Sequence, residues 1–373
     1  MIYTVNGRHF ETENKFATTW KTDNSGSSND NQITLPLISG TVNMLVEWGD
    51  GTSDTITAYN QSAVTHTYPQ PGTYTVRCSG DCGSWRFDNS GDKDKIITVK
   101  SYGDFQIKEI ATFDGCNNLT KVEMYNKNIS GANIALAAAF RDCINLEEVF
   151  ISNVSNSISL SQLFSGCDKF NSSVSHWDTS NTTSTSQLFS NCNNFNQPVD
   201  NFNTENVTNM SRMFWICPKF NQPVNHFNTS KLSSMYGIFR SCNVFNQPLD
   251  NWDTSKVTSM NDMFRNCYVF NQPLDNWDTS KVDDMRYLFN RAYAFNQDIS
   301  MWNINSLTNA VDMLTSTSFS TENYDKLLIA WNAQTHLDDV PLGVGTTKYS
   351  SAAAAARASL VADGWIITDG GLV

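Results

Sequence analysis

The sequence predicts a mainly β chain with short helices: a β-sandwich, then a solenoid of about nine stacked 25-residue rungs, then an α-rich C-terminal cap. Three observations predict it. The stretch FNQPLDNWDTSKVTSM at 245–260 returns almost letter for letter at 270–285, and a fixed period of this length signals stacked repeats. Before residue 100 the chain breaks into short runs of β-branched and aromatic residues bounded by Gly, Asp, Asn and Pro. After residue 318 apolar residues fall at helical spacing.

Residues 1–14 carry Ile2, Tyr3, Val5 and Phe10, too apolar for a solvating tail and too few for a core. They are read as a docking segment that adds a strand to a neighbouring sheet edge, where backbone hydrogen bonds supply affinity; the competing reading is a frayed terminus.

Residues 15–104 read as the sandwich. Short strands are expected at 33–38, 43–48, 55–59, 73–77 and 96–100. Between them lie Trp48-Gly-Asp-Gly51 and the run H-x-Y-x-x-x-G-x-Y-x-V from His66 to Val76. This pair of motifs, in this order, resembles a PKD-type immunoglobulin-like domain. Gly49 and Gly51 permit the tight turn. Asp50 and Asp54 lack the regular ligand ladder of a calcium loop, so they are assigned to turn structure. His66 is expected to be hydrogen-bonded beside Trp48. With no linker after it, the sandwich is expected to cap the first rung.

Residues 105–318 hold the repeats. An F-x-x-C pair recurs at Phe113/Cys116, Phe140/Cys143, Phe164/Cys167, Phe189/Cys192, Phe214/Cys217, Phe239/Cys242 and Phe264/Cys267. Val257, Met260, Met263 and Phe264 fall at i, i+3, i+6 and i+7, one face of a short helix, with Thr258 as its cap. A short extended piece is expected around Pro273–Asp275. Stacking would bury Phe over Phe and Cys over Cys. The pattern M-x-x-M-F-x-x-C-x-x-F-N-Q-P-L-x-x-W-D-T-S-x-V resembles the BspA-like leucine-rich-repeat family of surface proteins. That resemblance implies a right-handed leucine-rich-repeat-type solenoid with a parallel sheet on one face, and adhesion or protein binding. It brings no catalytic residues.

Residues 319–373 form the expected cap. Ser320 opens a helix with Tyr324, Leu327, Leu328 and Trp331 on one face. A second helix follows Ser350 to Leu360, Gly364 stops it, and a last strand starts at Trp365. This end resembles the C-terminal segment often found on the same repeat family.

Composition narrows the function. The net charge is −12, against a phosphate-backbone partner, which needs clustered Lys and Arg. No apolar run is long enough to span a membrane. Seven of nine cysteines belong to the ladder and are read as buried structural thiols; Cys78 and Cys82 are left open between a disulfide and free thiols. No Ser-His-Asp elbow, metal-binding His cluster, P-loop or dinucleotide Gly motif occurs. No enzyme activity, cofactor or metal is expected. Polar columns at constant phase, Gln197, Gln222, Gln247 and Gln272 with Asp200, Asp250 and Asp275, are the candidate binding residues. Their competing use is to satisfy backbone groups between rungs. The N-terminus has no signal-peptide pattern. The expectation is a non-enzymatic virion surface protein of a bacteriophage, in a tail fibre or as a capsid decoration. Its partners would be other virion proteins, or a host surface protein or glycan, with homo-oligomer formation through residues 1–14. The alternative is a bacterial cell-surface adhesin.

Overall fold

A computed structural model of the chain describes residues 2–5, 8–11, 16–102, 112–125, 136–152 and 154–373, with backbone alone at 2–5, 8–11, 102 and 125. The chain divides into two compact units, residues 1–181 and 182–373.

In the first unit β1 (Ile2–Val5) and β2 (Arg8–Glu11) form an antiparallel hairpin. Then come β3 (Phe16–Lys21), β4 (Gln32–Thr34), β5 (Asn43–Glu47), β6 (Ser53–Ile56), β7 (Thr65–Thr67), β8 (Thr73–Asp81), β9 (Ile96–Tyr102), β10 (Lys121–Tyr125) and β11 (Glu148–Ile151). Seven of these make one sheet in the order β11-β10-β9-β3-β8-β5-β6, while β4 pairs with β7. Strands from β6 to β9 pair antiparallel; β9, β10 and β11 pair parallel.

The two-layer sandwich expected before residue 104 is therefore corrected to a large mixed sheet. A sandwich would leave β9 as an edge. Its outer backbone groups are instead taken by β10, from Thr98 opposite Lys121 to Tyr102 opposite Tyr125. An unpaired edge is a liability, and the first repeat strands cover it.

Alternation along β3 buries Phe16, Thr18 and Trp20, as the two-residue period of a strand requires. Phe16 meets Trp85 edge-on at 4.9 Å, and Trp20 lies 5.9 Å from Phe87. Phe87 leads to the repeats: its N–H donates to the Thr112 carbonyl, and its ring lies 6.3 Å from Phe113. A buried polar knot ties the loop before β4 to the turn before β9. The fully buried Lys95 ammonium donates to the carbonyls of Ser28, Asn29 and Gln32 and to Ser28 Oγ. Asp92 accepts from the N–H groups of Ser28 and Thr34. Burial pulls the Lys95 ammonium below its ordinary value, and Asp92 opposes that shift. Such a cation is tolerated because every donor has an acceptor.

In the second unit residues 182–320 run through turns and single parallel bridges, such as Ser234 with Ser259 and Ser259 with Asp284. The leucine-rich-repeat-type solenoid, with a parallel sheet along one face and a short helix in each rung, is thus not the architecture. The extended sheet is the mixed one of the first unit. The helix expected at Val257–Phe264 is absent for a backbone reason. The N–H groups of Met263, Arg265 and Cys267 each bond three residues back. Those of Met260, Asp262, Phe264 and Asn266 donate to the carbonyls of Asp284, Arg286, Leu288 and Asn290, one repeat later. A helix would return each N–H to its own fourth-preceding carbonyl. Alternating donation needs left-handed residues, found at Asp262 (φ 58°) and Asn266 (φ 61°). Each costs about 1–2 kcal/mol for a non-glycine residue, offset by ladder bonds and ring stacking. Thr258 does not cap a helix; its N–H and hydroxyl both donate to the Ser233 carbonyl. The piece at Pro273–Asp275 forms no strand.

The stacking itself is direct. Phe264 lies 5.9 Å from Phe239 and 5.6 Å from Phe289, rings nearly parallel, and is fully buried.

The α-rich cap is also corrected. Residues 319–373 hold α1 (Thr321–Asn332, 12 residues), β12 (Pro341–Gly343), α2 (Ala354–Ala362, 9 residues) and β13 (Ile366–Thr368). Ser320 caps α1 and Tyr324, Leu327, Leu328 and Trp331 are its buried face. The helices alternate with strands because the last turns need backbone partners. Ala310 N–H donates to the Pro341 carbonyl and Leu314 N–H to that of Gly343. A helix uses those groups internally; a strand offers them. β12 then pairs in parallel with β13.

Candidate interaction surface

The repeated letters bind one rung to the next. Cys217, Cys242 and Cys267 donate their thiols to the carbonyls of Phe189, Phe214 and Phe239, each at 2.9 Å. The indoles of Trp252, Trp277 and Trp302 donate to the carbonyls of Val224, Leu249 and Leu274. The hydroxyls of Thr229, Thr254 and Thr279 donate forward to the carbonyls of Asp253, Asp278 and Asn303. Asp253 and Asp278 accept from the N–H groups of Ser255 and Ser280 two residues on, the side-chain turn that Asp favours. All nine cysteines, including Cys78 and Cys82, are buried.

The Gln column belongs to this scaffold. The amides of Gln222, Gln247 and Gln272 donate to Asn196, Asn221 and Asn246, one rung back. Gln197, at the same phase, is half-buried. Asp200, Asp250 and Asp275 are exposed, and Asp250 accepts from the Asn225 amide at 2.8 Å. The two columns thus do different things: one is tied down, the other faces solvent. Ile2, Tyr3, Val5 and Phe10 lie on β1 and β2, and their side chains lie outside the described residues.

What sequence reasoning missed lies at the phases where the repeats differ. Around the left-handed turn, the slot two before the ladder Phe holds Arg212, Gly237, Asp262 and Tyr287, and the slot just after it holds Trp215, Arg240 and Arg265. These side chains converge. The Arg212 guanidinium lies 4.7 Å from the Trp215 ring centre and 4.6 Å from that of Tyr236, whose hydroxyl it donates to at 2.6 Å. Arg240 covers Trp215 at 4.1 Å, and Arg265 covers Tyr287 at 4.6 Å. Asp262 sits between Arg240 and Arg265, at 3.4 and 3.1 Å. Burial holds the Arg240 guanidinium below its ordinary value, against the pull of Asp262. Gly237 makes the arrangement possible: a Cβ there would stand 2.6 Å from two Trp215 ring atoms. The signal available in the sequence was variation at fixed phase, opposite to the constancy that drew attention to Gln and Asp.

In the first unit the Trp48–Asp54 turn is closed by its own side chains. Trp48 Nε1 donates to Asp54 Oδ2, Asp50 Oδ1 accepts from Thr52, and Asp50 Oδ2 lies 2.8 Å from His66 Nε2. His66 stacks on Trp48 with centroids 4.6 Å apart. Burial would raise the Asp50 carboxyl, but the hydrogen bonds from Thr52 and His66 win and hold it at about 2. A cleft of about 370 Å³ lies beside β10 and β11, lined by Lys121, Glu123, Phe150 and His176 among others. Its polar groups have positional uses: Ser172 Oγ accepts from the Val149 N–H and donates to the Glu147 carbonyl, and His176 Nε2 lies 2.8 Å from the Ile151 carbonyl. Among the described residues, no three His, Cys, Asp or Glu side chains are grouped to hold a metal ion, and no helix is long and apolar enough to cross a membrane.

No curated protein and no solved structure matches the chain. One family, described as Mycoplasma protein of unknown function, DUF285, matches residues 134–249 and 220–331. The two matches overlap and together run over more than half of the 373 residues, across the rungs whose side chains are described above, and the chain therefore belongs to this repeat-containing family.

Proposed function

We propose that the chain is a non-enzymatic attachment protein whose repeats present a binding surface to another protein. One observation carries this reading. The constant Cys, Trp and Gln positions are consumed in joining rungs, whereas the varying positions gather half-exposed Trp215, Arg240 and Arg265 around the buried carboxylate of Asp262. A scaffold with a fixed interior and a variable face is built for recognition. The BspA-like resemblance of the repeats points to the same class. The carrier is a virion or a bacterial cell surface. The test is immunogold labelling of a producing culture with antibody against the chain. Label on the cell envelope supports the adhesin, label on sedimentable particles supports the virion protein, and label confined to the cytosol overturns both.

A further inference from the structure

The face around Trp215 is built. Five of the ten arginines of this acidic chain lie between residues 212 and 291. The carboxylates engaged with them are Asp262 and Asp284. Arg212 and Arg240 lie over the Trp215 ring, Arg212 also over Tyr236, and Arg265 over Tyr287. Stacking fixes each guanidinium in a plane before any partner arrives, which reduces the ordering cost of binding. The Nε atoms of Arg212 and Arg265 are buried without a hydrogen-bond partner. Arg291 is exposed on the next rung.

We infer that this face, centred on Arg212, Trp215, Arg240 and Arg265, is a docking surface for a carboxylate-rich peptide segment of a partner protein. The inference rests on the attachment reading and names its partner chemistry. Planar guanidinium groups match carboxylates with two parallel hydrogen bonds. Trp, Tyr and Arg are the residues that carry most binding energy in protein interfaces. An acidic polysaccharide is the weaker fit. Sugars stack on open aromatic faces, and here guanidinium groups already cover Trp215, Tyr236 and Tyr287. Arg240 and Arg265 stand at the same phase of adjacent rungs, whose ladder Phe rings step by 5.9 Å, close to the spacing of alternate side chains of an extended peptide.

The experiment uses the full chain and a fluorescein-labelled deca-glutamate peptide, followed by fluorescence anisotropy at low salt. Binding is expected, falling at least tenfold in 0.3 M NaCl. It should also fall at least tenfold in Arg212→Gln/Arg240→Gln, and in Arg212→Lys/Arg240→Lys, which keeps charge but loses the planar fork. Arg77→Gln, on β8 of the first unit, should leave it unchanged. If the paired substitutions lower the melting temperature, Arg291→Gln, at an exposed position, is expected to weaken binding severalfold without that effect. No binding by the parent protein, equal binding by the variants, or tighter binding of polygalacturonate than of deca-glutamate would each overturn the inference. None of these outcomes bears on where immunogold finds the protein, so the attachment reading stands or falls separately.

Discussion

The thiol of Cys267 donates to the carbonyl of Phe239, 28 residues earlier, at 2.9 Å, and the same carbonyl accepts the N–H of Cys242. One oxygen, with two lone pairs, thus closes a turn and joins two rungs. Cys267→Ala is expected to destabilise by about 1–2 kcal/mol, from a lost bond and a small void, without orphaning the carbonyl. Denaturant titration measures it. Burial raises the Cys217, Cys242 and Cys267 thiols well above their ordinary value. The native protein should therefore resist a thiol reagent that labels the denatured chain fully. Rapid native labelling would contradict the buried ladder.

Phe264 is expected to matter more. It fills the space between Phe239 and Phe289 and touches Phe270, 4.0 Å away, within its own rung. Phe264→Ala should cost about 3–5 kcal/mol, the range for large-to-small changes in a packed core. A loss below about 1 kcal/mol, read from chemical denaturation, would mean that the ring column contributes little.

The period and its burial were legible because they are written along one chain: Phe239, Phe264 and Phe289 recur at the same phase, and nothing else explains the recurrence. The path within a rung was not. Apolar residues at i, i+3, i+6 and i+7 suit a helix, and equally a run of three-residue turns broken by left-handed residues. Arg212, Ile216 and Tyr287 occupy left-handed slots with no composition that announces them; the glycines at 166 and 237 in the same phases were the available hints. The alternating N–H groups of Asp262 and Phe264 have partners one repeat away, which local pattern cannot reveal. The mixed sheet was hidden likewise, since β9 reads the same as an edge or as a centre. The α1 stripe was legible because Ser320 and the buried face lie within 12 residues.

Gly237 and Trp215 should behave as a coupled pair. The slot itself accepts side chains, as Arg212 and Asp262 demonstrate at φ 58°; the obstacle at Gly237 is the Trp215 ring. Gly237→Ala is expected to cost about 1–3 kcal/mol, as overpacking does. In a Trp215→Ala background the same change should cost clearly less. A double-mutant cycle by denaturant titration reads this coupling, and additive costs would show that the ring does not require the glycine.

The two polar columns should separate in the same assay. Asp250→Ala with Asp275→Ala removes exposed carboxylates and is expected to change stability by no more than about 0.5 kcal/mol. Gln272→Ala removes an amide that donates to both the carbonyl and Oδ1 of Asn246, and should cost about 1 kcal/mol. Equal costs would mean that the Gln ladder does not hold rungs together.

The last expectation concerns acid. Hydrogen bonds from Thr52 and His66 lower the Asp50 carboxyl from 3.8 to about 2, against the burial that would raise it. A depressed native value means that the folded state favours the charged form. The stability this group adds is complete above pH 3.8 and is lost as pH falls toward 2. Asp50→Asn should therefore destabilise the protein at pH 6 and flatten part of the decline in melting temperature between pH 5 and 2. Because His66 also faces Asp50 at 2.8 Å, the comparison is made in a His66→Gln background as well, where the Asp50→Asn effect should shrink but persist through Thr52. An unchanged acid profile in Asp50→Asn would show that the Trp48–Asp54 turn does not set the acid limit of the first unit.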